Sequence, residues 1–358
     1  MENNVLRYDE QAIMRLRALY RQYGYTQYRM SRFEEYSLYS ENKAFLASGD
    51  IVTFTSLGGK LMALRPDVTL SIVKNAKDDG TLKKLYYNEN VYRPGGYEYK
   101  EQMQVGLECI GDIDIYSMSE VVLLAYRSLE TLGGHTCIDI SHMGYINCLL
   151  ESVKLAPAQK KEILRRVSEK NVPGLNALSD EYGLDDDFRA SITRIAALYG
   201  PYSETIDELR SLSAGEESDA ALREIETIHS VLKQFEAHRG VNLDFSIVND
   251  LSYYSGLIFQ GYIEGVPTKV LSGGRYDKLL RKFGKRAGAV GFAVFLDLLE
   301  RLDPPRNGAE VDVMLLYGGE TSPEELAAAV NSLTESGQSV RVQRERPGGV
   351  KYKKLIEM

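Results

Sequence analysis

Residues Gly288–Leu302 read GAVGFAVFLDLLERL. An apolar run carrying two glycines passes directly into an amphipathic stretch, which predicts a buried strand feeding a helix. Glycines inside such a strand mark places where a ligand or another backbone comes close. The segment is therefore either the wall of a ligand site or part of a packed core. The charges around it, present and missing, decide between the two.

Upstream of this stretch, LDFSIV, LIFQGYIEG and TKVLSGG read as strands. Before them, residues 156–237 are charged, helix-patterned and poor in β-branched runs. PAQKKEILRRVSEK, DDFRASITRIAALYG and SDAALREIETIHSVLKQFEAHR read there as successive helices of an insertion. Nearer the start, Ile13, Leu16, Leu19 and Tyr20 recur at helical spacing, and Gly24 ends that helix. The Tyr-rich YTQYRMSRFEEYSLY alternates like a strand entering a short helix. IVTFTSLGGKLMALRP reads as a hairpin around Gly58-Gly59. Asp67 stands where it can cap a helix formed by DVTLSIVKNA. KLYYNENVYRP and KEQMQVGLECIG are strand-like arms joined by RPGGYEY, followed by the helix SEVVLLAYRSLETLG and the strand HTCIDISHM. Downstream, beyond the polar break DPPRNGAE, a strand–helix–strand unit is predicted from Val311 to about Val342. This organisation is α+β: a core of residues 1–155 and 238–305, a helical insertion at 156–237 and a small α/β unit at 306–358.

Composition bounds the function classes. The chain has 358 residues, a formal net charge of −8 and 44% hydrophobic residues, enough for packed cores. The N-terminal MENNVLRYDEQ holds no apolar run of signal-peptide length and no later stretch reaches membrane-spanning length, so a cytoplasmic protein is expected. Cys109, Cys137 and Cys148 form no CxxC pair and read as reduced thiols. His142 lies near a cysteine, but nothing completes a metal set. The acidic balance argues against binding nucleic acid through its phosphates. The basic tail RVQRERPGGVKYKKLIEM reads as a solvated face with a Gly-Gly turn.

The candidate chemistry sits on four segments. In LRPDVT, Asp67 and Thr69 occupy a strand-to-helix corner where side chains can enter a cleft. Along KEQMQVGLE, alternation puts Gln102, Gln104, Gly106 and Glu108 on one face, either solvated or lining a pocket. LSYYSGLIF offers Tyr253 and Tyr254, and VLSGGRYDKLL repeats the glycine–aromatic theme with Tyr276. Carboxylates, amides and phenols together suit a small polar cation, and an amino acid fits. A structural alternative is that Gln104, Glu108 and Tyr254 only satisfy one another in the core. No Ser-His-Asp set, P-loop or dinucleotide fingerprint is present.

In this order, the four segments and the opening stretch resemble the core of histidyl-tRNA synthetase, a class II aminoacyl-tRNA synthetase, over roughly residues 8–150 and 240–302. LRPDVT is similar to that family's LRPE-T strand end, and YRPGGYEYKEQMQVGLE to motif 2. LSYYSG and GGRYDKLL resemble the histidine-specific signatures, and GAVGFAVFLDLLERL resembles motif 3. The resemblance implies a six-stranded antiparallel sheet flanked by helices, a dimeric chain and no cofactor or metal. It also implies a histidine-binding set of Asp67, Thr69, Arg93, Gln104, Glu108, Tyr253, Tyr254 and Tyr276.

The departures from the synthetase pattern remove charge. The arginine expected five residues before the second tyrosine is Asn249, in IVNDLSYY. Motif 3 should end in Gly-x-Glu-Arg, but the register from Gly291 places Phe295, Asp297 and Leu298 there, and Arg301 lies one turn further on. The motif 2 loop keeps Arg93 but lacks further arginines. Adenylate formation needs fixed cations around the α-phosphate, and losing one such group costs about 10²–10³-fold in rate. The chain is thus similar in its losses to a synthetase paralogue family, the regulatory subunits of ATP phosphoribosyltransferase. That resemblance implies no catalytic residue of its own and a hetero-octamer with the short-form catalytic subunit. It further implies feedback by L-histidine at the first step of histidine biosynthesis. The short carboxy-terminal unit, about half a synthetase anticodon-binding domain, implies impaired tRNA reading. Two rivals stay open at this point. A divergent active synthetase would need Arg301, Arg93 or Lys100 to replace the lost cations, and an RNA-binding or amino-acid-sensing paralogue would need a basic groove.

Overall fold

The computed structural model describes residues 6–46, 50–95, 98–213, 215–248, 253–302 and 309–358. Asn249 and the side chain of Arg301 lie outside the described residues. The chain divides into two compact units, Met1–Leu302 and Asp303–Met358.

The first unit opens with α1 (Tyr8–Gln22), whose Ala12, Leu16 and Tyr20 are buried, and Gly24 turns the chain at φ +81. Two short strands, β1 (Thr26–Gln27) and β2 (Phe33–Glu35), lead into α2 (Tyr36–Ser40). The glycine-centred hairpin forms as β3 (Thr53–Thr55) and β4 (Leu61–Leu64), and with β2 it makes a small antiparallel sheet in the order β2-β4-β3. Helix α3 (Thr69–Asn75) follows, then the long arms β5 (Lys83–Gly95) and β6 (Glu98–Gly111). Asp114 accepts from the Ser117 amide (2.7 Å) and starts α4 (Ile115–Leu132), a helix buried along most of its length. Strand β7 (Thr136–His142) and α5 (Met143–Glu151) complete this half.

The helical stretch holds α6 (Pro157–Ser168), α7 (Val172–Tyr182), α8 (Asp186–Ala197), α9 (Tyr202–Ser211) and α10 (Glu216–Gln234), with β8 (Tyr199–Pro201) before α9. Two of these helices, α7 and α9, were not legible as periodic runs. Helix α7 carries a proline and a glycine in its first turn, yet Asn171 caps it by accepting from the Gly174 amide (2.8 Å). The stretch is also joined to the sheet, because β8 pairs with β9 (Val241–Asp244). Strands β10 (Leu257–Ile263) and β11 (Leu271–Arg275), helix α11 (Asp277–Lys282) and β12 (Gly288–Phe295) close the unit. The LDLLER part of the opening stretch continues as a 3₁₀ helix, Leu296–Leu302, where the amphipathic spacing predicted an α-helix.

The main sheet has nine strands in the order β1-β5-β6-β12-β11-β10-β7-β9-β8. Its middle, from β5 to β7, is the expected run of six antiparallel strands. Three strands extend it: β1 pairs parallel to β5, β9 parallel to β7, and β8 antiparallel to β9. Helices α1 and α4 cover one face, where Tyr20 of α1 meets Phe292 of β12 edge-on at 6.1 Å. Val105, Leu107 and Cys109, each 0% exposed, alternate along β6 with the polar residues of the other face.

The second unit contains β13 (Val311–Leu316), α12 (Pro323–Glu335) and β14 (Val340–Gln343), and a further strand, β15 (Tyr352–Glu357), pairs parallel with β13. The tail that read as a solvated face is therefore partly sheet. Its backbone completes the β13 ladder, while its charged side chains stay outside; Lys353 reaches Asp312 at 2.6 Å. Among the described residues no helix is long and apolar enough to cross a membrane.

Candidate functional site

The LRPDVT corner is held rigidly before it reaches the site. Arg65 is fully buried: it pairs with Glu89 (2.9 Å) and donates to the carbonyls of Ser31 (2.7 Å) and Asn90 (2.9 Å). The Arg65 carbonyl in turn accepts from the Tyr92 amide (2.9 Å), fixing the corner to β5. Asp67 then accepts from the Leu70 amide (2.8 Å) and begins α3, as its position in the sequence predicted. Thr69, the first residue of that helix, points its Oγ1 at Glu108 Oε1 (2.9 Å).

Glu108 is the centre of the arrangement. It is 2% exposed on β6 and also accepts from the Tyr276 hydroxyl at Oε2. The two hydrogen bonds favour its ionised form and the nearby Asp67 opposes it, but burial dominates and pushes the carboxyl up to about 8. Burial raises Asp67 as well, against the lowering effects of the Leu70 amide and the Arg93 charge. The Tyr276 and Tyr253 phenols are raised well above their usual range, chiefly by burial. Space for the Glu108 carboxylate exists because Gly291 lies opposite it in the β6–β12 register. A Cβ on Gly291 would fall 1.8 Å from Glu108 Oε2.

The tyrosines arrive from the other side. Tyr276 lies just past β11, its amide bonded to the Ala289 carbonyl (2.8 Å), and Asp277 binds the Ser255 hydroxyl through its own amide (3.0 Å). These ties bring the 253–256 segment against β11. Tyr254 packs over Gly274, where a Cβ would come within 2.7 Å of the ring. Tyr253 and Tyr254 meet at 4.6 Å between centroids, and Phe45 and Tyr276 lie at 5.9 and 6.1 Å from Tyr253.

Together these side chains enclose a cavity of about 350 Å³. All eight residues singled out in the sequence line it: Asp67, Thr69, Arg93, Gln104, Glu108, Tyr253, Tyr254 and Tyr276. Gln104, Glu108 and Tyr254 do not satisfy one another: Glu108 is met by Thr69 and Tyr276, and Gln104 Nε2 is buried without a hydrogen-bond partner. Sequence reasoning missed Tyr87, Lys269 and Ser272, which also face the cavity. Lys269 precedes β11 in TKVLSGG, and only its place ahead of an apolar strand could have drawn notice. From the opening stretch, Gly291, Ala293 and Phe295 line the cavity, so that stretch is a wall of the site. Gln102, on the same face of β6, donates instead to Asp297 (3.2 Å).

The arrangement can hold a small polar cation against buried carboxyls, among aromatic rings. Among the described residues no group of histidine, cysteine and carboxylate side chains could hold a metal ion.

The sequence profile described as histidyl-tRNA synthetase matches residues 4–299. The chain is 30% identical over 287 residues to a protein of Oceanobacillus iheyensis named ATP phosphoribosyltransferase regulatory subunit, covering 79% of this chain and 71% of that one. Its structure is similar to the crystal structure of an ATP phosphoribosyltransferase regulatory subunit/histidyl-tRNA synthetase from Bacillus halodurans C. The TM-score is 0.82 at 28% identity, covering 98% of this chain and 93% of that one. A chain of the ATP phosphoribosyl transferase (HisG:HisZ) complex from Thermotoga maritima has the same fold, with a TM-score of 0.64 at 20% identity over 80% of this chain and 97% of that one.

Proposed function

The chain belongs to the histidyl-tRNA synthetase family and, within it, to the ATP phosphoribosyltransferase regulatory subunits; from that premise we propose that it assembles with a short-form catalytic subunit and carries histidine feedback to it. The partner reading draws support from the Thermotoga complex, in which a chain of this fold is found with HisG. In the proposed assembly the chain is a dimer within a cytoplasmic hetero-octamer, and L-histidine occupies the cavity around Glu108.

One contrast supports the reading: hydroxyls converge on the buried Glu108, while the positions matching motif 3 carry a phenyl ring, a carboxylate and a leucine. Thr69 and Tyr276 converge on Glu108, and Asp67 and Arg93 stand beside it. At the motif 3 positions, Phe295 projects into the cavity, Asp297 is bonded to Gln102 and Leu298 is apolar. Among the described residues no arginine stands at these three positions, and one lysine at the cavity wall falls short of the set of fixed cations that stabilises charge on a reacting phosphate. Histidine would therefore be bound without being activated. Its effect on the partner requires that it bind one state of the complex more tightly than the other.

The test is reconstitution. The purified chain alone is expected to show no histidine-dependent ATP–pyrophosphate exchange above background. Added to a short-form catalytic subunit, it is expected to raise phosphoribosyl transfer to ATP and make it inhibitable by L-histidine. Clear exchange by the chain alone would instead make it a synthetase.

A further inference from the structure

The cavity has two carboxyls on its wall, Asp67 and Glu108, and two cations, Arg93 and Lys269. The cations are not equivalent. Arg93 donates through Nε to the Pro66 carbonyl (3.0 Å), and its charge lowers Asp67, so it is committed to the acidic wall. Lys269 has no ion pair or hydrogen bond to any described residue. Burial holds its ammonium below the usual lysine range, as expected of a cation taken from water without a counter-charge.

Its position is fixed by the sheet. The next residue, Val270, accepts through its carbonyl from the Phe295 amide (2.8 Å), and Phe295 lies opposite Gln104 across β12 and β6. Lys269 and Gln104 therefore flank Phe295 from its two sides at one end of the cleft. At that end Gln104 Nε2 is buried without an acceptor, and the ammonium of the half-buried Lys269 makes no hydrogen bond or ion pair to a described residue. Glu108 lies opposite Gly291, four residues back along β12, about 13 Å by strand rise. The far end can take a cationic group against Glu108 and Asp67, and the near end can take an anion.

We infer that Lys269 anchors the α-carboxylate of the amino acid held in this cavity, with the Gln104 amide as its second donor. The inference rests on the reading that L-histidine occupies the site. A carboxylate suits this end better than a phosphate, because one ammonium and one amide match a single negative charge.

The experiment is calorimetric titration of the full chain with L-histidine, with histamine, which lacks the carboxylate, and with AMP. Wild-type protein is expected to bind L-histidine about 10–100-fold more tightly than histamine, the range of a charge-assisted hydrogen bond. Lys269→Met is expected to remove that preference, weakening L-histidine by the same factor while leaving histamine unchanged; Lys269→Arg is expected to keep most of it. Equal loss for both ligands, or no loss for either, would overturn the carboxylate assignment alone. A Lys269→Met effect confined to AMP would overturn it in favour of a phosphate site. Failure of the wild-type chain to bind L-histidine at millimolar concentration would instead overturn the reading of the cavity, and the inference with it. The wild-type comparison of histidine with histamine needs no variant, so a poorly folding Lys269→Met leaves the test intact.

Discussion

The two ends of one cleft are built on opposite terms. Around Glu108 the carboxylate oxygens are met by the Thr69 and Tyr276 hydroxyls, and Gly291 withholds a side chain to make room. Around Phe295, four residues along the same strand, the Gln104 amide is buried without a partner, the half-buried Lys269 bonds to no described residue, and a phenyl ring lines the wall. A satisfied buried cluster is stiff, and changes to it cost stability and binding together. An unsatisfied end is different: its groups reduce the stability of the empty protein and recover that cost when a ligand arrives. The site is therefore a preorganised socket at one end and a set of donors awaiting an acceptor at the other.

The largest effect should come from closing the socket. In Gly291→Ala the new Cβ would fall 1.8 Å from Glu108 Oε2 and 2.5 Å from the Leu107 carbonyl, so carboxylate and backbone must both move. Overpacking of this kind costs about 1–3 kcal/mol or more. The expected outcome is a thermal midpoint lowered by several degrees and at least a hundredfold loss of L-histidine affinity by calorimetry. Ala293, two residues on and lining the same cavity, already carries a Cβ. Ala293→Gly should cost only a small void, and comparable losses in both variants would contradict the contrast between the two ends.

Next in size is the pH dependence set by Glu108. Burial raises its folded carboxyl to about 8, against an ordinary value of 4.5. Between those values the folded chain holds a proton that the unfolded chain has released. Stability from this group is therefore complete below about 4.5 and is lost as pH rises toward 8. Glu108→Gln removes the titration. Its stability relative to wild type should rise between pH 5 and pH 8, on the order of a few kcal/mol in denaturant titrations. A constant difference across that range would mean that Glu108 is ionised throughout. In the reconstituted complex, Glu108→Ala and Gln104→Ala should both weaken inhibition by L-histidine while assembly, measured by light scattering, is unchanged. Full inhibition in both variants would place the effector elsewhere.

The same division governs how much was legible in the sequence. The alternation that put Gln104 and Glu108 on one face of β6, and the corner that presented Asp67 and Thr69, are local consequences of strand period and capping. Local rules therefore predicted them, the glycine–aromatic segments offered the tyrosines, and the family resemblance gathered them into one set. Lys269 was not legible because its meaning is non-local: it becomes a site residue only when Val270 pairs with Phe295, which lies 25 positions later in the chain. The missed elements have related causes. Helix α9 is short, and the strand β15 is charged along a run whose backbone alone is needed by β13. The LDLLER turn took 3₁₀ form, which the periodicity of so short a segment does not distinguish from an α-helix.

The smallest expected effect is also the one that separates the two ends most directly. Gln104 is 3% exposed and its Nε2 has no partner, so the amide costs the empty chain about 1–3 kcal/mol in unreturned desolvation. Gln104→Met keeps the length and flexibility of the side chain and removes the unpaired donor. The empty variant should therefore melt slightly higher than wild type, by a few degrees at most, while its L-histidine affinity falls about tenfold. At the Glu108 end the matching change, Thr69→Val, removes a donor that is already in use, so midpoint and affinity should fall together. Opposite signs for Gln104→Met and the same sign for Thr69→Val would establish that one end is spent on the fold and the other reserved for the ligand. A Gln104→Met protein that melts lower than wild type would mean that the amide is satisfied in the empty chain, and the contrast between the ends would disappear.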